Sequence, residues 1–302
     1  MKPSYLKLSP AEWYTRLKKL YSILESCALC PRQCGVNRLK GETGFCRSGA
    51  ELLVSSIGPH FGEERPLVGK GGSGTVFLTN CNLGCIYCQN YEISHLGYGK
   101  KITIQQLANR MIDLQVSGCH NINFVTPTHF VPRLAESIKI AAENGLSSPI
   151  VYNCGGYESV ETIRLLEDIV DIYMPDIKYS NNDTAKKYSD APDYFKMCAE
   201  SVKEMHRQTG DLKLEDGIAK RGLLIRHLVL PNGLAGTEKV MEFISRDLSK
   251  DTYVNIMFQY HPQYHAQMHG ELRRPPLRSE FDETVRIAKK LGLHRGFTLS
   301  FS

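Results

Sequence analysis

Three cysteines in one short stretch, Cys81, Cys85 and Cys88, carry the strongest chemical signal in the chain. Their C-x3-C-x2-C spacing puts three thiolates on one loop. Three thiolates can hold three irons of a cubane [4Fe–4S] cluster, whereas electron-transfer clusters are ordinarily held by four cysteines. The fourth iron is then open to another ligand, so such a loop suits chemistry on a bound molecule. A structural zinc site is the competing use of these thiols. It usually pairs two C-x2-4-C knuckles, and here the third cysteine has no mate. A second group, Cys27, Cys30, Cys34 and Cys46, has C-x2-C-x3-C-x11-C spacing. Four thiolates leave no open position, and they could saturate a second [4Fe–4S] cluster or a structural zinc. Cys119, Cys154 and Cys198 stand alone and read as buried small hydrophobes.

The three-thiol loop needs a rigid platform, and the chain downstream supplies one. Residues 75–79 (TVFLT) predict a strand that delivers the chain to Cys81. Residues 103–116 predict a helix, because Thr103 and Gln106 have capping-box spacing and Leu107, Met111 and Leu114 recur on one face. Further strands are expected at 121–126, 149–153, 171–174, 222–230 and 254–258. Helices are expected at 133–143, 161–167, 194–207, 238–246 and 281–291. About six strand–helix units imply a parallel sheet, as an α/β barrel or an open doubly wound sheet. In either, functional groups collect at the carboxyl ends of the strands. Cys81, Thr126, Asn153, Asp176 and Pro231 all fall just past strand ends. Residues 69–74 (GKGGSG) read as a flexible boundary. That boundary separates a small cysteine-rich, metal- or cluster-binding extension, 1–70, from a core, 71–302, ending in a helix and a strand.

The stretch 80–90, NCNLGCIYCQN, resembles the signature loop of radical S-adenosylmethionine (radical SAM) enzymes, including the aromatic Tyr87 before the third cysteine. In that superfamily the open iron binds the amino and carboxylate groups of S-adenosylmethionine. One electron from the cluster cleaves the sulfonium, and the resulting 5′-deoxyadenosyl radical abstracts hydrogen from a substrate. The resemblance covers roughly residues 71–270 and is closest to the pyruvate formate-lyase activating-enzyme-like branch. The stretch CALCPRQCGVNR…GETGFC resembles a subgroup of that branch with an N-terminal four-cysteine motif. The resemblance implies a partial (β/α)6 TIM-type barrel and an oxidoreductase with Cys81, Cys85 and Cys88 as its catalytic centre. It also implies a reductant partner such as flavodoxin or ferredoxin and, by analogy alone, a protein or peptide substrate.

Other positions carry over singly. Met174-Pro175-Asp176-Ile177-Lys178 resembles the branch's Met-x-Asp-x-Lys motif, in which the Asp helps hold a cation and the Lys faces the cofactor. A carboxylate and an ammonium beside a zwitterionic ligand orient it through charge-assisted hydrogen bonds. Arg226 resembles an arginine that contacts the cofactor carboxylate, and His261, after Tyr260, resembles a late histidine near the adenosine. Two departures stand out. The branch's Gly-Gly-Glu, which supports the methionine amino group, is replaced by Thr126-Pro127-Thr128-His129. Asn153-Cys154 stand where the branch has Asp-Thr, so a cation site there is weaker. Cofactor contacts are thus expected at Tyr87, Thr126, Asn153, Asp176, Lys178, Arg226 and His261.

Composition narrows the alternatives. The chain has 302 residues, 42% hydrophobic and 23% charged, which is ordinary for a globular protein. Its net charge of +5 is too small to indicate a nucleic-acid partner. No apolar run approaches a membrane span, and no apolar signal-peptide core follows Met1, so a cytoplasmic protein is expected. In a reducing compartment ten cysteines point to metal or redox chemistry rather than disulfides. A two-cluster ferredoxin-type electron carrier and a zinc-stabilised, non-catalytic scaffold are the competing readings. The first has no need of a six-unit barrel. His261, His265 and His269 would make a metal stripe on a helix, but Pro262 and Gly270 argue for a loop there.

Overall fold

The computed structural model describes residues 1–297. Its strands are β1 (Leu52–His60), β2 (Ser73–Leu78), β3 (Lys100–Ile102), β4 (Ile122–Val125), β5 (Ile150–Cys154), β6 (Ile172–Pro175), β7 (Lys213–Glu215), β8 (Ile218–Leu228) and β9 (Tyr253–Met257). They form one sheet in the order β3-β1-β2-β4-β5-β6-β8-β7, with β9 also on β8. The strands β2, β4, β5, β6, β8 and β9 run parallel, as the six expected units require. Every residue of β5 and β6 is buried. That follows from their near-continuous apolar sequences, which suit a parallel strand covered on both faces. Side chains from β2, β4, β5, β8 and β9 line one common cavity. The sheet therefore wraps round on itself as a partial barrel. β1 covers the outer edge of β2, and among the described residues no ladder joins β1 or β3 to β9.

The helices follow the expected pattern. Helix Ile104–Val116 starts at Thr103, whose side chain and that of Gln106 cap each other's backbone reciprocally. Its Leu107, Met111 and Leu114 are buried on the sheet. Helices Val131–Glu143, Val160–Leu165, Tyr194–Thr209, Thr237–Phe243 and Arg278–Lys290 occupy the other expected places. The strand expected after the last helix extends into residues 298–302, outside the described residues, although Arg295 makes a parallel bridge to Tyr253. Cys119, Cys154 and Cys198 are buried as expected. His261 to His269 form a loop with one short 3-10 turn, Ala266–Met268. No described helix is long and apolar enough to cross a membrane.

Two features depart from the sequence reading. The first is upstream, where no element was expected. Helix Pro10–Ser22 is capped reciprocally by Ser9 and Glu12, and β1 pairs antiparallel with β2. The Ser4 amide donates to Asp171 Oδ1 at 2.7 Å, and the Tyr5 hydroxyl to the Ser148 carbonyl at 2.9 Å. Residues before 70 are thus tied to the sheet and its helices. The second is the glycine stretch 69–74, which is packed backbone rather than a flexible hinge. The Gly74 amide donates to Asn121 O at 3.0 Å, and the His120 amide donates to Gly72 O at 3.0 Å. A Cβ on Gly71 would stand 2.0 Å from Gly118 O, and one on Gly74 would stand 2.7 Å from Asn121 O. Glycine is required there for close backbone approach. Gly71→Ala should therefore lower stability by about 1–3 kcal/mol through overpacking. Thermal unfolding checks this, and an unchanged midpoint would restore the hinge.

Candidate active site

The barrel delivers the three-thiol loop as expected. After β2 the chain turns at Asn80, which takes a left-handed conformation (φ 65°). Asn80 is held by its amide to Ile93 O at 2.8 Å and by its side chain to Ser48 Oγ at 2.9 Å. The loop then leans on two neighbours. Gly84 and Ile86 amides donate to Ser189 and Tyr188 carbonyls, and the His265 amide donates to Ile86 O. The last contact comes from the histidine loop.

Each thiol has a polar neighbour. The Leu83 amide donates to Cys81 Sγ at 3.3 Å, the Ser189 hydroxyl donates to Cys85 Sγ at 3.0 Å, and the Ser94 hydroxyl lies 3.1 Å from Cys88 Sγ. Burial pushes the Cys81 and Cys85 thiols up, and the Lys178 ammonium opposes that rise at both. Tyr87 is buried beneath the loop, with its hydroxyl 2.5 Å from that of Tyr179 and its ring 5.7 Å from that of Tyr260.

At the carboxyl ends of β5, β6 and β8, four expected residues join in one network. Lys178 Nζ donates to Asp176 Oδ2 at 2.6 Å. Arg226 Nε donates to Asp176 Oδ1 at 2.7 Å, and Arg226 Nη2 donates to Asn153 Oδ1 at 2.7 Å. Burial alone would push the Asp176 carboxyl up, but Arg226 and Lys178 outweigh it and hold it below the usual carboxylate range. Burial likewise opposes the Lys178 charge, and Asp176 outweighs burial, so the ammonium is held on more firmly than usual. A cavity of about 220 Å³ adjoins both groups, lined by Cys85, Tyr87, Cys88, Asp176, Lys178 and Arg226 among others. The thiols and the charged network thus stand side by side.

Two expected residues are placed differently. Thr126 follows β4 with φ 60°, and its amide donates to Asn153 O at 2.8 Å, but it lines neither the thiol cavity nor the inner cavity described below. His261 is exposed and lines neither cavity, whereas its neighbour Tyr260 does. The arrangement also contains residues the sequence reading missed. Gln89, Asn90, Met257 and Gln259 line both the thiol cavity and a second one of about 320 Å³ inside the barrel. That inner cavity also holds His60, Glu63, Glu64 and Asn255. Burial, followed by the neighbouring Glu64, pushes the Glu63 carboxyl up to about 7 despite Arg226. Two adjacent glutamates in a loop carry no periodic signal. Only the strand ahead of them, which was also missed, could have flagged them.

The upstream quartet lies against the same loop. Cys30 feels Cys46 and Cys27 as close neighbours, and burial pushes its thiol up to about 12. Cys34 is exposed and accepts from the Phe45 amide at 3.5 Å, next to Cys46. Arg38, only 2% exposed, puts Nη1 3.9 Å from Cys27 Sγ. Arg32, between Cys30 and Cys34, donates to Asn82 O in the three-thiol loop at 3.0 Å and stacks on Phe45. Among the described residues no three His, Cys, Asp or Glu side chains are already gathered as ligands of a single ion.

Comparison with known proteins bears on this arrangement. An uncharacterized protein of Methanocaldococcus jannaschii is 34% identical over 282 residues, covering 90% of this chain and 77% of that protein. Among solved structures the chain is similar to HydG, a maturase of the [FeFe]-hydrogenase, at 11% identity and a TM-score of 0.49. That similarity covers 72% of this chain and 48% of HydG, so the chain spans about half of HydG's length. It is also similar to methylornithine synthase, at 14% identity and a TM-score of 0.47, over 70% of this chain and 59% of that one. The family description "Radical SAM superfamily" matches residues 75–212. That match opens on β2 and takes in the three thiols together with Asn153, Asp176 and Lys178, and the protein belongs to the radical SAM superfamily.

Proposed function

We propose that the protein reductively cleaves S-adenosylmethionine at a cluster held by Cys81, Cys85 and Cys88, and uses the radical to abstract hydrogen from a protein or peptide. Family membership implies a [4Fe–4S] cluster and S-adenosylmethionine. The donor set fits the cluster. Three thiols share one loop, and the Leu83 amide and Ser189 hydroxyl already donate to two of their sulfurs. When bound, the cluster supplies the electron that breaks the sulfonium bond. The chain's own groups do the rest. Asp176, Lys178 and Arg226 present fixed charges beside the thiol cavity and orient a zwitterion there. Tyr87 and Tyr260 wall the cavity and exclude water. The observation that carries this reading is the junction of the thiol loop with the Asp176–Lys178–Arg226 network in one cavity. The test is anaerobic reconstitution with iron and sulfide, reduction, and assay for 5′-deoxyadenosine. Clusters without cleavage would favour an electron carrier instead.

We assign the upstream quartet, Cys27, Cys30, Cys34 and Cys46, to a second metal centre, an iron–sulfur cluster that would relay electrons from a flavodoxin- or ferredoxin-type donor to the loop. Zinc is the competing occupant. Arg38 beside Cys27 supports a charged thiolate centre, and Arg32 links the two loops directly. In a Cys81/Cys85/Cys88 triple-Ala protein only this site survives. About four irons with labile sulfide per chain are expected. One tightly held zinc without sulfide would reject the relay.

A further inference from the structure

Tyr87, Tyr179 and Ser189 form a buried line of hydroxyls that ends on one of the three thiols. The Tyr87 and Tyr179 oxygens are 2.5 Å apart, those of Tyr179 and Ser189 are 2.8 Å apart, and Ser189 Oγ lies 3.0 Å from Cys85 Sγ. All three side chains are buried, Tyr179 and Ser189 completely. The donor at each step follows by elimination. A sulfur that ligates iron is a thiolate, carries no proton and can only accept. Ser189 therefore gives its one proton to Cys85, so Tyr179 donates to Ser189, and Tyr87 donates to Tyr179. Cys81 takes a backbone amide and Cys88 faces a single serine hydroxyl. Among the described residues only Cys85 has a hydroxyl donor that is itself held by a further hydroxyl.

Resting on the radical SAM reading, we propose that Tyr179 is a positioning residue for the cluster: it locks the Ser189 hydroxyl onto Cys85 Sγ and so sets the reduction potential of the centre that the loop holds. Ser189 is the last residue of helix Asn182–Ser189. A helical serine commonly turns its hydroxyl back to the carbonyl four residues earlier. Here the main chain of Ser189 is fixed, because its carbonyl accepts from the Gly84 amide at 2.8 Å. Rotation of the side chain is its remaining freedom, and the Tyr179 hydroxyl at its oxygen removes that. Tyr179 is held in turn, with its ring edge-on to those of Tyr194 at 5.6 Å and Tyr87 at 6.4 Å. A hydrogen bond to a cluster sulfur favours the more negative, reduced state and raises the potential. Hydrogen bonds in a chain polarise one another, so Tyr179 strengthens a bond in which it takes no part.

The experiment is a redox titration of the reconstituted full-length protein, followed by electron paramagnetic resonance. The loop cluster is the signal that is missing from the Cys81/Cys85/Cys88 triple-Ala protein. Ser189→Ala should lower its midpoint potential. Tyr179→Phe, which keeps the ring, should lower it in the same direction and by no more. The double variant should match Ser189→Ala alone, because Tyr179 acts through Ser189. Tyr173→Phe is the control: Tyr173 is equally buried, and its hydroxyl donates to Gln208 Oε1 rather than toward a thiol. Its loss should leave the potential where it was. An unmoved potential in Tyr179→Phe, a further drop in the double variant, or an equal drop in Tyr173→Phe would overturn the assignment. Should Tyr179→Phe fail to fold, Tyr87→Phe cuts the line one step further out, and its potential must also fall; no shift there overturns the assignment equally. A loop-cluster signal with unmoved potentials defeats this inference alone, whereas absence of that signal from the unmutated protein defeats the radical reading with it.

Discussion

The Cys85→Ala protein is expected to lose reductive cleavage of S-adenosylmethionine to the background of the assay, while its upstream quartet still binds metal. Cys85 sits at the centre of the loop. It is buried, receives the Ser189 hydroxyl at 3.0 Å, and has the Lys178 ammonium as the neighbour that favours its thiolate. No other cysteine among the described residues stands in the thiol cavity except Cys88. Removal of Cys85 thus leaves no substitute ligand. Ser189→Ala makes the graded comparison, because it deletes only the hydrogen bond to the sulfur. A loss of about 10–100-fold in activity or cluster retention is the usual scale for such an outer contact. Quantifying 5′-deoxyadenosine beside iron and sulfide content separates the two variants. Cleavage at the wild-type rate by Cys85→Ala would remove the loop from the reaction.

Asp176→Ala should be the most destabilising substitution in the cofactor region, by about 3–5 kcal/mol. Asp176 accepts from Lys178 at 2.6 Å and Arg226 at 2.7 Å, and all three side chains are less than one-fifth exposed. Deleting the carboxylate strands two cations in a low-dielectric pocket. The Lys203–Asp247 pair has the same 2.6 Å spacing but is nearly half exposed, so its loss should cost no more than about 1 kcal/mol. Differential scanning calorimetry of Asp176→Ala and Asp247→Ala reads the contrast directly, and equal shifts would place the Asp176 network at the solvent surface. The network also sets a pH signature. The folded pKa of Asp176 is depressed, so its contribution is present above the ordinary value of 3.8 and disappears as pH falls through the lower folded value. The folded pKa of Lys178 is raised, so its contribution holds below 10.5 and fades as pH rises beyond it. Asp176→Ala should flatten both ends of the stability profile.

The six parallel strands were legible because each is a short apolar run between turn signals, with amphipathic helices between them. The loop of three thiols was legible from spacing, Asp176 from its place past a strand end, and Lys178 from the resemblance of residues 174–178 to the Met-x-Asp-x-Lys motif. Helix Pro10–Ser22 carried a readable signal in Ser9 and Glu12 that the sequence reading passed over. Strand β1 was harder. Its Leu52-Leu53-Val54 start gives way to Ser55-Ser56, and half-burial in an antiparallel strand interrupts the alternation. Missing β1 hid the two glutamates, because nothing local shows that a loop will be folded back into the barrel. The glycines at 69–74 were misread for the complementary reason. The same absence of a side chain permits both a hinge and a tight contact, and only the neighbours Gly118 and Asn121 decide.

The run of parallel ladders has a mechanical consequence. From β2 through β4, β5, β6 and β8 to β9, widening the wall means breaking rows of backbone hydrogen bonds. The carboxyl ends of those strands therefore keep a fixed spacing, and Asn153, Asp176 and Arg226 move together or not at all. The segment after β1 meets β9 through a side-chain contact, Asn255 Nδ2 to Glu64 Oε1 at 3.1 Å. The charged network is thus set in the stiff part of the wall, whereas the Glu63–Glu64 segment can shift by side-chain rotation without breaking a ladder.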